Sequence, residues 1–144
     1  MPIRSYLLAC CALLLITVIA CKKKKGSGGD NPPPQEVQLT SSLDGVQEGN
    51  YTAAPGPTYS FTANVTSELP ASGVSVTVVV VTDPGGQNIP QDPIPSPVKS
   101  KNITINLKDL PPIRTVKVTV TISSISNPNN KIIKEFWITN KADQ

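Results

Sequence analysis

Thr115-Val116-Lys117-Val118-Thr119-Val120-Thr121-Ile122 alternates without a break between aliphatic and polar residues. In an extended chain successive side chains point to opposite faces, so Val116, Val118, Val120 and Ile122 share one face. Thr115, Lys117, Thr119 and Thr121 share the other. Apart from Lys117, every residue of the run is β-branched, the class of side chain that favours strands. The run predicts a β-strand with one face in a core and one in water.

The same period of two recurs on both sides of this stretch. Tyr59, Phe61, Ala63 and Val65 lie opposite Ser60, Thr62, Asn64 and Thr66. Val74, Val76, Val78 and Val80 lie opposite Ser75 and Thr77. At Val79 and Val81 that strand becomes apolar on both faces, the pattern of a strand central in its sheet. Ile103, Ile105 and Leu107 alternate with Asn102, Thr104 and Asn106. The strands predicted from these runs lie near 37–43, 58–67, 73–82, 100–108, 114–124 and 131–139, with a short further one within 87–98. Turn chemistry separates them. Leu69-Pro70-Ala71-Ser72-Gly73 reads as a hairpin-like connection, Asp83-Pro84-Gly85-Gly86 as a strand end, and Asn127-Pro128-Asn129-Asn130 as the link between the last two strands. No helical period is found beyond the N-terminal segment. Six or seven strands in about 105 residues predict an all-β sandwich of two sheets.

Within that pattern, Ile103-Thr104-Ile105-Asn106-Leu107-Lys108-Asp109-Leu110-Pro111-Pro112, followed by Val116-Lys117-Val118-Thr119-Val120, resembles immunoglobulin-like sandwiches of the fibronectin type III kind. In that family a Leu-x-Pro turn ends the fifth strand and an alternating strand follows. The family places a tyrosine where this chain has Val116, and a tryptophan in the second strand, where this chain has Tyr59 and Phe61. The resemblance implies loops and sheet edges suited to adhesion, glycan contact or complex assembly.

The N-terminal part of the 144 residues reads as an address. Arg4 supplies a positive start, and Leu7 to Ala20 is a run of 14 residues whose only ordinary polar member is Thr17. That is short for a membrane span, which needs roughly 20 apolar residues, and fits the core of a signal peptide. The run ends Val18-Ile19-Ala20-Cys21, which resembles a bacterial lipobox. In lipoproteins with that motif the cysteine thiol receives diacylglycerol and the chain is cut just before it. The expectation is a signal peptide over 1–20, lipidation at Cys21, a tether over 21–35 and a sandwich domain over 36–144. An uncleaved hydrophobic anchor, or a plain signal peptide with a chance cysteine, is the plainer alternative. Cys10 and Cys11 would leave with the signal peptide, so no disulfide or thiol nucleophile is expected in the mature chain.

Lys22 to Lys25, then Gly26-Ser27-Gly28-Gly29-Asp30-Asn31 and Pro32-Pro33-Pro34, read as a flexible tether. Such a coil would average roughly 20 Å end to end. A cysteine followed by lysines and a Gly/Ser/Asp stretch is similar to lipoproteins of Bacteroidota-type bacteria. That similarity implies the outer membrane, with the cell surface and the periplasmic face both open. The lysine run suits anionic lipid head groups, and equally a solvated spacer. The tether also explains the charge. The chain holds 13 Lys+Arg and 10 Asp+Glu, for a net of +3. Arg4 and four tether lysines take five of the cations and Asp30 one of the anions, leaving the domain at 8 against 9. No basic cluster follows a nucleic-acid backbone, so no nucleic-acid partner is expected.

Chemistry is scarce. The sequence has no histidine, which removes His-based acid/base catalysis and His-ligated metals. No nucleophile elbow, phosphate loop or D-x-D calcium series occurs. Acidic residues are scattered singly, from Asp44 and Glu48 to Asp92 and Asp109. No enzyme, cofactor or metal is therefore expected, and the N-x-S/T matches at Asn50, Asn64 and Asn102 are incidental.

Binding is the remaining role. Adjacent residues of a strand face opposite ways, so Phe136 and Trp137 cannot both enter the core. Phe136 shares a face with Ile132 and Ile138 and is the core member. Trp137 shares a face with Ile133, Glu135 and Thr139 and becomes the candidate contact residue for a glycan or protein ligand. Packing beneath a loop or the chain terminus is the alternative. The five prolines Pro84, Pro90, Pro93, Pro95 and Pro97 suit a crossing between sheets that shields an edge. A polyproline ligand for a partner groove is the other reading. A structural subunit of an outer-membrane or periplasmic assembly is the alternative function.

Overall fold

The alternating run from Thr115 becomes one ten-residue strand, Thr115–Ser124, in a computed structural model that describes residues 35–142. The expected signal peptide, Cys21 and nearly all of the tether lie outside the described residues. Seven strands follow in chain order: β1 (Ser41–Asp44), β2 (Tyr51–Ala54), β3 (Tyr59–Val65), β4 (Val74–Asp83), β5 (Asn102–Leu107), β6 (Thr115–Ser124) and β7 (Lys131–Asn140). One sheet has three strands in the order β1-β3-β5, and the other has four in the order β2-β7-β6-β4. The described residues form an all-β sandwich of two sheets.

The alternation chooses the core. β6 buries every second residue, with Val116, Val118, Val120 and Ile122 at 1% exposure or less. β3 contributes Phe61, Ala63 and Val65, and β5 contributes Ile103, Ile105 and Leu107. Phe136 from β7 is fully buried and meets Phe61 edge to face across the two sheets, with ring centroids 5.0 Å apart. That is the favoured geometry for an aromatic pair. Phe61 thus fills the interior, and Val116 is core as well. Tyr59 instead donates its hydroxyl to the Gly45 carbonyl at 2.6 Å.

Five expectations need correction. β2 was not among the predicted strands: Tyr51-Thr52-Ala53-Ala54 is short, and it forms a strand because it pairs in parallel with Trp137–Asn140 of β7. The first strand begins at Ser41 and not near 37. Side chains, not a ladder, hold the preceding residues: the Leu39 amide donates to Asn130 Oδ1 at 2.8 Å, and Glu36 accepts from Ser124, Ser126 and Asn130. The connection after β3 crosses between sheets and is not a hairpin. Gly73 in that crossing has φ +84, and a Cβ there would stand 2.7 Å from the Val98 carbonyl oxygen, so only glycine fits.

The fourth correction concerns β4, which lies at the edge of its sheet and not in the centre. No strand forms within 87–98. The segment touches β4 through isolated bridges at Asn88 and Val98. Ile89 donates to the Val80 carbonyl at 2.8 Å, and Val98 exchanges two bonds with Val74. Between these ends Pro90, Pro93, Pro95 and Pro97 have no N–H to continue a ladder. Gln91 ties the far side to Lys108, with bonds of 3.1 and 3.0 Å. The segment crosses from β4 to β5 along the edge.

Candidate functional site

The two outer faces of the sandwich differ in chemistry. On the three-stranded sheet, β1, β3 and β5 carry Ser42, Asp44, Ser60, Thr62, Asn64, Asn102, Thr104 and Asn106 outward. Register sets them in rows, such as Ser42 beside Asn64 beside Asn102. Ser60 donates to Asn106 Oδ1 at 2.7 Å. This face is short, polar and almost neutral.

The four-stranded sheet carries a row across its whole width: Tyr51 beside Trp137, Trp137 beside Lys117, and Lys117 beside Val81. The parallel pairing of β2 with β7 places Tyr51 there. The Tyr51 and Trp137 rings stack with centroids 5.5 Å apart and planes 28° from parallel. The Lys117 ammonium stands 5.8 Å from the centre of the Trp137 ring, within range of a cation–π attraction. The indole N–H donates to Asp83 Oδ2 at the end of β4, 2.5 Å away. Trp137 is therefore held by three other strands.

Neighbouring residues extend this surface. Lys117 pairs with Glu135 Oε1 at 2.8 Å, and the Thr119 hydroxyl donates to the same oxygen. The Lys117 contact, with help from Thr119, holds the Glu135 carboxyl below its ordinary range despite some desolvation. Glu135 is thus ionised near neutral pH and takes part as a fixed charge. Tyr51 is 70% exposed, Ile133 52% and Val79 45%. The result is a ladder of rings, aliphatic groups and alternating charges in which Lys117, Glu135 and the Trp137 indole N–H are already paired.

At the end of this face an open cleft is lined by Asp83, Pro84, Pro112, Ile113, Arg114 and Thr115. Asp83 belongs to both the cleft and the ladder. Among the described residues no group of three or more His, Cys, Asp or Glu side chains stands close enough to hold a metal ion. What the arrangement offers chemically is a pair of stacked rings and fixed charges.

Of the two residues singled out in the sequence, Trp137 is placed on this face and Cys21 lies outside the described residues. Tyr51, Lys117 and Asp83 were not singled out. Tyr51 stands in a stretch too short to show a period. Asp83 lies 54 positions from the indole it binds. Lys117 alone had a local signal, as the one long charged residue on the polar face of β6. No protein-family model, no curated protein and no solved structure matches this chain.

Proposed function

We propose that the protein is a lipid-anchored lipoprotein of a bacterial outer membrane. Its sandwich is a non-catalytic binding module that takes a glycan or protein ligand on the outer face of the four-stranded sheet. The observation that carries the binding role is the stacked Tyr51–Trp137 pair, braced by Lys117 and Asp83, on one outer face only. Aromatic side chains give large contact area at low entropic cost and are enriched where proteins bind. The anchoring half rests on Val18-Ile19-Ala20-Cys21 and the lysine run after it. Two acyl chains would hold firmly where one holds weakly.

The first test is protease shaving of intact cells carrying the wild type or Cys21→Ala. The variant should leave the membrane fraction. If it stays as firmly bound as wild type, the anchor is wrong. The second test uses Trp137, the only tryptophan of the chain, as its own probe. Its fluorescence should shift as members of a panel of bacterial and host glycans, or of purified envelope proteins, are titrated in. Binding that survives both Trp137→Ala and Tyr51→Ala, read by calorimetry because the first variant has no tryptophan, would remove the sheet face from the reading.

A further inference from the structure

Ile113 is 63% exposed, yet its backbone sits at φ +53. A β-branched side chain in the left-handed region is a genuine outlier, because its Cβ crowds the backbone. The surroundings over-determine that conformation. The Ile113 amide donates to the Asn140 carbonyl at 3.0 Å, and the Asn140 amide donates to the Arg114 carbonyl at 3.2 Å. The Asn140 side chain donates to the Leu110 carbonyl at 2.7 Å, and the Leu110 amide donates to the Pro57 carbonyl at 2.9 Å. Leu110 and Asn140 are each 2% exposed. Pro111 and Pro112 stiffen the approach. The fold thus spends conformational energy to present an aliphatic side chain that it leaves mostly in water. Glycine or asparagine would keep the same turn without the strain.

We infer that Ile113 is the anchor of a protein-binding surface, inserting into an apolar pocket of a partner protein, with the Tyr51–Trp137 ladder alongside. The inference rests on the reading of the sheet face as a binding surface and narrows its ligand to a protein. Three observations choose that occupant. An aliphatic side chain offers a sugar neither a ring to stack on nor a hydrogen bond, whereas a rigid aliphatic anchor is what a protein pocket takes. Arg114 beside it is exposed and has no ion pair among the described residues, so it suits a carboxylate on the rim of that pocket. Asp83 lines the cleft beside Ile113 and accepts the Trp137 indole N–H, so cleft and ladder form one continuous surface. The surface also lies at the far end of β6 from the described N-terminal residues. Glu36 is bound at the Ser124 end of β6 and Ile113 precedes its Thr115 end, about 30 Å away for a ten-residue strand.

The test places a photo-crosslinking benzoylphenylalanine at position 112, at position 51 or at position 62 of the full-length chain in intact cells. Position 62 lies on the polar face and is the control. Position 112 should give a discrete protein adduct that is lost in Ile113→Gly and Ile113→Asn and kept in Ile113→Leu. The Gly and Asn variants should at the same time raise Tm, by about 4 °C or more, because they relieve the backbone. This joint result, higher stability with lost contact, is one that a merely structural Ile113 would not produce. The inference is overturned if the adduct survives the Gly and Asn variants, if only glycan or lipid adducts form, or if those variants lower Tm. An adduct from position 51 with none from position 112 would leave the sheet-face reading standing and remove Ile113 from it.

Discussion

The outer faces of the two sheets come from the same kind of strand and end in opposite chemistry. On the three-stranded sheet the outward residues are short amides and hydroxyls, and the one outward acid is Asp44. On the four-stranded sheet the corresponding positions hold two stacked rings, a lysine above one of them, a paired glutamate and exposed aliphatic side chains. Both faces satisfy the solvent, and both sit on the same core. Folding therefore does not require the second composition. An exposed ring costs solubility, and single apolar residues at a surface are ordinary, but a braced aromatic pair on an open sheet has the form of a contact surface.

The comparison can be broken from beneath. Phe136 and Trp137 are neighbours on β7 with opposite orientations, and Phe136 supports both sheets through its contact with Phe61. Phe136→Ala should cost about 3–5 kcal/mol in a chemical denaturation measurement, because it opens a cavity between the sheets. Ligand binding would fall only through loss of the folded population. A cost below about 1 kcal/mol would mean that the interior repacks, and the assignment of inner and outer faces along β7 would fail.

Trp137→Ala should have the reverse profile. Stability should drop by about 1 kcal/mol, from the lost stacking and cation–π contact. Affinity for the ligand should drop by roughly 30-fold or more, as at a binding hot spot. Calorimetry beside thermal melts would read both. On the other face, Thr62→Ala and Asn106→Ala should stay within about 0.5 kcal/mol of wild type and leave binding unchanged. If a polar-face substitution weakened binding as much as Trp137→Ala, the two faces would have to exchange roles.

Acid sharpens the contrast with the smallest effect. Lys117 holds the Glu135 carboxyl below its ordinary range, and among the described residues no ion pair lies on the outward face of the three-stranded sheet. A carboxylate with a depressed folded pKa contributes stability above its unfolded pKa. That contribution is lost as pH falls through the folded value. Tm should therefore decline slightly below the usual glutamate range, and Glu135→Gln should flatten part of the decline. Glu36, held low chiefly by Ser126 and further by Asn130 and Ser124, adds a second acid-sensitive contact at the other end of β6. A decline unaltered in Glu135→Gln and removed in Glu36→Gln would place the sensitivity at the N-terminal segment alone.

The alternation of single strands was legible in the sequence, and it had the correct inner and outer sides. Val116, Val118, Val120 and Ile122 were expected inside and are inside, and Phe136 was separated from Trp137 by parity alone. The Asn127–Asn130 turn was legible as well, because adjacent strands joined by turn residues pair locally. Reading failed where the deciding contact was distant. Val79 and Val81 suggested a central strand, yet β4 is an edge whose free side is met by the proline segment. Tyr51-Thr52-Ala53-Ala54 carried no period, and it became a strand only when β7 lay beside it.

The sequence by itself determined that residues 35–142 are all β, which residues of the longer strands face inward, and which turns are local. A period of two is a property of one strand and needs no neighbour to be read. Only the tertiary structure decided which sheet each strand joins, and that Tyr51, Trp137, Lys117 and Asp83 meet on one face. Only it showed Ile113 held in a conformation that its own side chain disfavours. Those facts belong to pairings between segments far apart in the chain, and register between them is set by the packing of both partners together.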